Sequence, residues 1–184
     1  MEETIIALAK TAILVALNQP DDFNLTEARN NYPILDKEGA VFVTLRSKKT
    51  DELRGCIGSL TAYRPLYKDI IFNAQASALK DSRFPPLKKE ELNSLTIEVS
   101  LLSQPKALIY KNSKDVEEKI KPLIHGITLR QGMHRATYLP SVWEELKEFG
   151  IFFDSLCQKA GLKKNCLDKH PEIFTYTATK YKEK

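Results

Sequence analysis

Cysteine is scarce in the 184-residue chain: Cys56, Cys157 and Cys166 are the only three, and no two form a C-x-x-C pair. That excludes a disulfide scaffold and the common zinc motifs. Long apolar runs are missing too. Near the start the longest is Ala12 to Leu17, far short of the ~20 residues a spanning helix needs. With Glu2, Glu3 and Lys10, the start also lacks the basic-then-apolar order of a secretory leader, so a cytoplasmic protein with free thiols is expected. There is no G-x-S-x-G, no P-loop, no G-x-G-x-x-G and no H-E-x-x-H. The common hydrolase, NTPase, dinucleotide and zinc-protease signatures are therefore absent. Neither low complexity nor an internal repeat is visible.

What is present is an ordinary globular composition, 42% apolar and 28% charged, long enough to bury a core unaided. The net charge is +4, and the whole excess lies in residues 159–184, because residues 1–158 balance. Such a tail can touch an anionic partner such as RNA. A solvated terminal lysine cluster accounts for it more simply, so nucleic acid is not the expected partner.

Periodicity predicts a helix over 2–18, with Ile6, Ala9, Ile13 and Leu17 near one face. Strands are predicted over 40–46 and 53–60, joined as a hairpin by a turn at Ser47 to Glu52. Pro65 opens a helix that ends near Ser82, ahead of Pro85 and Pro86. Leu95, Ile97, Val99 and Leu101 mark a half-buried strand. A helix over 113–121 follows, then strands over 124–130 and 134–139. Ser141 with Glu144 reads as a capping box for a short helix, and a second helix spans 151–160, stopped by Gly161. A last strand covers 172–179. This irregular mixture predicts an α+β fold with antiparallel or mixed sheet and flanking helices.

Three segments can carry chemistry. In Leu53-Arg54-Gly55-Cys56-Ile57-Gly58, two glycines flank a cysteine inside a strand, where glycine weakens pairing. A regular strand places Arg54, Cys56 and Gly58 on one face. Arg54 then favours a Cys56 thiolate or binds an anionic group, and the bare backbone of Gly55 and Gly58 admits a ligand. The alternative is a bulged strand with Cys56 as a small buried residue. In the second segment Arg83, just before Phe84-Pro85-Pro86, is offered from a stiff base for anion recognition, or else offsets a helix dipole. In the third, His125 and His134 come within reach if their strands pair, which makes His125 a candidate acid or base for Cys56. No paired ligand spacing supports a metal site. Cys157 reads as core and Cys166 as an exposed incidental thiol. Trp143 reads as packing.

Six segments occur together in order: LRGCIG (53–58), SALKDSRFPPL (77–87), EVSLLSQP (98–105), HGI (125–127), ATYLPSVWEEL (136–146) and LCQKAGL (156–162). On these the chain resembles the AMMECR-one domain family, in its AmmeMemoRadiSam system protein A type, over about residues 5–165. The resemblance implies one domain with a larger and a smaller lobe, and LRGCIG lining a cleft between them. It places Arg83, His125 and Thr137 near that motif. It also implies the company of a Memo-like protein and a radical S-adenosylmethionine protein. It names no reaction and no cofactor. One departure follows Gly161: the family often carries a Trp there, and Lys163 to His170 hold none.

Two functions compete. In one, Cys56 does thiol chemistry on a small or peptide-like ligand, with Arg54 and His125 assisting. In the other, the chain is a non-catalytic adaptor that binds protein or nucleic acid through a surface around Arg83 and Arg135.

Overall fold

Alternation of apolar and polar residues builds the first sheet. Val41, Val43 and Leu45 point to one side of a strand and Phe42, Thr44 and Arg46 to the other, and only the first set is fully buried. The computed structural model describes residues 1–183. It contains helices α1 (Glu2–Ala16), α2 (Leu25–Asn31), α3 (Leu66–Leu79), α4 (Lys89–Leu92), α5 (Ser113–Lys119) and α6 (Phe149–Lys159). The strands are β1 (Ala40–Ser47), β2 (Leu53–Gly58), β3 (Leu95–Leu102), β4 (Lys106–Ala107), β5 (Gly126–Gln131), β6 (His134–Tyr138), β7 (Glu172–Tyr176) and β8 (Ala178–Lys182). The fold is α+β, and the pairs β1–β2, β1–β3, β4–β7, β5–β6 and β5–β7 are all antiparallel.

The chain divides into two compact units. One is Met1–Leu102 together with the last stretch from Thr179, and the other is Ser103–Ala178. In the first, a four-stranded sheet of order β2-β1-β3-β8 carries α1 and α3 on one face. Ile5, Leu8, Ala12 and Ile13 of α1 and Ile70, Ala74 and Ala78 of α3 close over Val41, Val43, Leu45, Ile97 and Val99. The alanines of α3 let its backbone come close to the strands. Pro65 stands at its N-cap. Asp69, fully buried in its first turn, accepts from the Val41 N–H at 2.9 Å and the Ser59 hydroxyl at 2.6 Å, tying helix to sheet.

The second unit has its own four-stranded sheet, β4-β7-β5-β6, covered by α6. Its core centres on Trp143 stacked on Phe152, with ring centroids 3.6 Å apart, and on Ile127, Leu129 and Leu156. Three sequence expectations change here. Cys166 is not an exposed thiol: it is buried and disulfide-bonded to Cys157, with Cα atoms 5.9 Å apart. The reversal that Gly161 permits at φ +76° brings the loop back over α6 and puts the two sulfurs together. Ser141 makes no capping box either, because Pro140–Glu144 is a 3-10 turn with no side-chain cap. The late strand also proves to be two, β7 in the second sheet and β8 in the first.

No helix among the described residues is long and apolar enough to cross a membrane.

Candidate functional site around Cys56

The hairpin of β1 and β2 sets the geometry. Thr44 lies opposite Cys56, and on its other side Thr44 lies opposite Glu98 of β3. Cys56, Thr44 and Glu98 thus form a row across three adjacent strands, on the face turned away from α1 and α3. The Thr44 hydroxyl donates to Cys56 Sγ at 3.2 Å. Cys56 is half-buried and is the one free cysteine among the described residues.

Glu98 closes the row. Its carboxylate is almost fully buried, and three cations surround it: Lys182 at 3.3 Å, Lys180 at 3.6 Å and Arg46 at 3.7 Å. A buried carboxylate needs such partners, since desolvation alone disfavours its charge. The lysines of the basic tail are therefore not simply solvated: Lys180 and Lys182 belong to the edge strand β8 and lean over Glu98.

The backbone of Cys56 is clamped from the outer edge of β2. Its N–H donates to Asp81 Oδ2 at 2.8 Å, and Arg83 Nη2 donates to its carbonyl at 3.2 Å. Asp81 and Arg83 also pair with each other, at 2.9 Å through Nε and 2.7 Å through Nη2. The pair occupies both backbone groups that a further strand would use, which protects the sheet edge at this point. The Arg83 side chain beside Asp81, helped by the N–H groups of Cys56 and Arg83, holds the Asp81 carboxyl far below the usual carboxylate range, although burial works against it.

Arg54 behaves differently from the regular-strand expectation. The ladder slips here, so that Arg46 faces Leu53 while Leu45 faces Gly55. Arg54 is the extra residue of a bulge. Its guanidinium forks onto Glu91 at 3.1 and 3.3 Å and onto the Pro85 carbonyl at 3.0 Å. Glu91 is held below its ordinary value chiefly by that fork. The two glycines serve close approach. A Cβ on Gly55 would stand 2.2 Å from the Ser77 carbonyl oxygen of α3, and one on Gly58 would stand 2.2 Å from the Phe42 ring. Gly55 faces the helix side, and the Phe42 ring covers Gly58.

The other sequence candidates lie in the second unit. His125 and His134 do not come together: β5 and β6 pair Gln131 with His134, so His125 stands at the opposite end of the hairpin, roughly 20 Å along it. His125 Nδ1 accepts from the Lys121 N–H at 3.2 Å, and burial, with the Lys121 charge, lowers its pKa. His134 Nδ1 lies 2.9 Å from the Ala160 carbonyl. The Thr137 hydroxyl is buried and engaged internally, with Ile127 O at 2.9 Å and Tyr176 OH at 3.1 Å. Arg135 is exposed on β6. Among the described residues no three His, Cys, Asp or Glu side chains gather as a metal site.

The profile of the AMMECR1 (AMMECR-one) family matches residues 6–181. This chain belongs to the AMMECR1 family. Among its relatives, Protein MK0488 of Methanopyrus kandleri is 35% identical over 188 residues, covering 98% of this chain and 87% of that protein. Protein NEQ441 of Nanoarchaeum equitans is 35% identical over 151 residues, covering 81% and 83%. The crystal structure of the uncharacterized protein PH0010 from Pyrococcus horikoshii has a TM-score of 0.81 and 33% identity, covering 98% of this chain and 90% of that one.

In this AMMECR1 protein, sequence reasoning missed Thr44, Asp81 and Glu98. For Asp81 a signal existed, because an acid two residues before Arg83 at a helix end is well placed to grip it. For Thr44 and Glu98 the signal lies in strand register, which the sequence leaves open.

Proposed function

We propose that the face of the first sheet turned away from α1 and α3 binds a small or peptide-like ligand, with the Cys56 thiol available for chemistry on it. The observation that carries this reading is the row Cys56–Thr44–Glu98. It sets a half-exposed thiol on a clamped edge strand, with a hydroxyl and a carboxylate beside it on the next two strands. Arg83, whose side chain is 54% exposed, stands at the edge of the same strand and is the second contact for the ligand. Arg54 acts indirectly, by fixing the bulge that brings Thr44 opposite Cys56. His125, Arg135 and Thr137 belong to the second unit and are not members of this row.

The reading extends, on the family resemblance, to a cytoplasmic protein that works with Memo-like and radical S-adenosylmethionine proteins. The test is site-resolved alkylation of the folded protein. Cys56 is expected to react while the chain is native, and Cys56→Ser to keep the fold and lose function. A Cys56 that stays unmodified until unfolding overturns the proposal.

An adaptor role has an observation of its own. The Arg64 guanidinium lies 4.4 Å from the Tyr63 ring and 4.2 Å from the Phe72 ring, and both rings are exposed. Exposed aromatics joined by an arginine suit a protein contact. If that reading holds, Tyr63→Ala with Phe72→Ala abolishes capture of a Memo-like partner and Cys56→Ser does not.

A further inference from the structure

The charges along the row are uneven, and this asymmetry names a ligand class for the proposed site, on which this inference rests. At the Cys56 end, Asp81 matches Arg83. At the other end, three cations share the single buried carboxylate of Glu98. Asp51, on the hairpin turn, reaches Lys182 at 3.7 Å and offsets one more charge. Among the described residues, one cation's worth of positive charge is left over. Lys180 and Lys182 have half-exposed side chains, 58% and 52%, so their ammonium groups are open to solvent as well as to Glu98.

We infer that this end of the row is an anion subsite, and that the ligand carries a carboxylate or phosphate held by Lys180, Lys182 and Arg46. Strand spacing sets the length of the ligand. Cys56 and Glu98 are two strands apart, roughly 10 Å, so the anionic group sits about that far from the part of the ligand that meets the thiol. The intervening Thr44 offers a hydroxyl for one polar contact. A ligand with its charge adjacent to its reactive end does not reach both.

The test uses a thiol reagent of matching length. 6-Maleimidohexanoic acid is compared with its neutral amide on the folded full-length chain, with modification read at Cys56. The acid is expected to react about fivefold faster than the amide, the scale that one or two half-exposed ion pairs supply. The preference is expected to fade as ionic strength rises past ~0.1 M. The double variant Lys180→Gln/Lys182→Gln is expected to bring the two rates together, with its melting temperature measured alongside. Acetate and inorganic phosphate, added as competitors, distinguish a carboxylate from a phosphate subsite by which one slows the acid reagent. Equal rates for acid and amide in the wild type overturn the anion subsite and leave the ligand face standing, as does a preference that survives the double substitution in a folded protein. If neither reagent reaches Cys56 in the native chain, the ligand face itself is overturned, and the subsite falls with it.

Discussion

Gly55→Ala tests how closely β2 is seated on α3. The added Cβ would lie 2.2 Å from the Ser77 carbonyl oxygen and 3.7 Å from Leu45 Cδ1. Ordinary contact begins near 3.4 Å, so strand and helix must part by about 1 Å. The obstacle is main chain inside a helix, and no rotamer change removes it. Either α3 shifts against α1 and β1, or the β1–β2 ladder that holds Thr44 opposite Cys56 loosens. Overpacking of this kind costs about 1–3 kcal/mol. Replacing a strand glycine returns ~0.7 kcal/mol of chain entropy. The expected net loss is about 1.3 kcal/mol, or a fall of about 4 °C in melting temperature. Trp143 lies in the other unit, so the assay is urea unfolding followed by circular dichroism, with hydrogen exchange read at the Cys56 amide. Two controls order the result. Gly58→Ala meets the Phe42 side chain from Cγ outward, an obstacle that a change of χ1 can move where helix main chain cannot, and is expected to lose less. Gly150→Ala meets nothing within 4 Å and is expected to be neutral or slightly stabilising. A Gly55→Ala protein within ~0.5 kcal/mol of the parent would refute the close-approach argument.

Further outcomes follow from the same geometry. Asp81→Asn removes the charged partner of Arg83 and is expected to cost about 2 kcal/mol and speed exchange at the Cys56 amide; unchanged exchange counts against the clamp. The Asp81 pKa is depressed by folding, so its contribution is complete above the ordinary value near 4 and lost as pH falls through the folded value. The stability gap between the parent and Asp81→Asn should therefore shrink in acid, and a gap that widens contradicts the assignment. Reducing the Cys157–Cys166 bridge reopens a short loop and is expected to cost about 2.7 kcal/mol by chain entropy, seen as a lower urea midpoint by Trp143 fluorescence; an unmoved midpoint sinks that estimate. Burial, with Lys121, lowers the His125 pKa, so an NMR titration should place its midpoint below ~6.5, and stability from this group is lost as pH falls through that midpoint. A midpoint at or above 6.5 refutes it.

Patterns confined to a few neighbouring residues were legible in the sequence. The helix expected at 2–18 is α1, the strand at 95–101 is β3, and Pro65 and Gly161 bound their helices as their chemistry requires. Register was not legible. Counting outward from a turn at Ser47 to Glu52 pairs Arg46 with Leu53, as observed, and then Val43 with Cys56. The bulge at Arg54 moves the ladder by one residue, and Thr44 takes that place. A slip of one exchanges the faces of a strand, so the composition of the row turned on a single residue. Glu98 could be placed on the polar face by alternation. Its burial could not, because the lysines that cover it arrive more than 80 positions later in the chain. The disulfide escaped for a related reason: Cys157 read as helix core and Cys166 as loop, and only the fold-back after Gly161 joins them.

The order of strands bears on how the molecule is made. The second unit, Ser103–Ala178, is inserted between β3 and β8 of the first, so the first sheet is interrupted in sequence. On the ribosome the inserted unit emerges as one continuous stretch and can complete its sheet. The earlier-made unit waits with β3 as a bare edge until β8 emerges. Usually the segment synthesised first finishes folding first. Here the order reverses, and Glu98 stays without its two lysines while the whole inserted unit is made. During that interval β3 is the strand most open to pairing with another nascent chain.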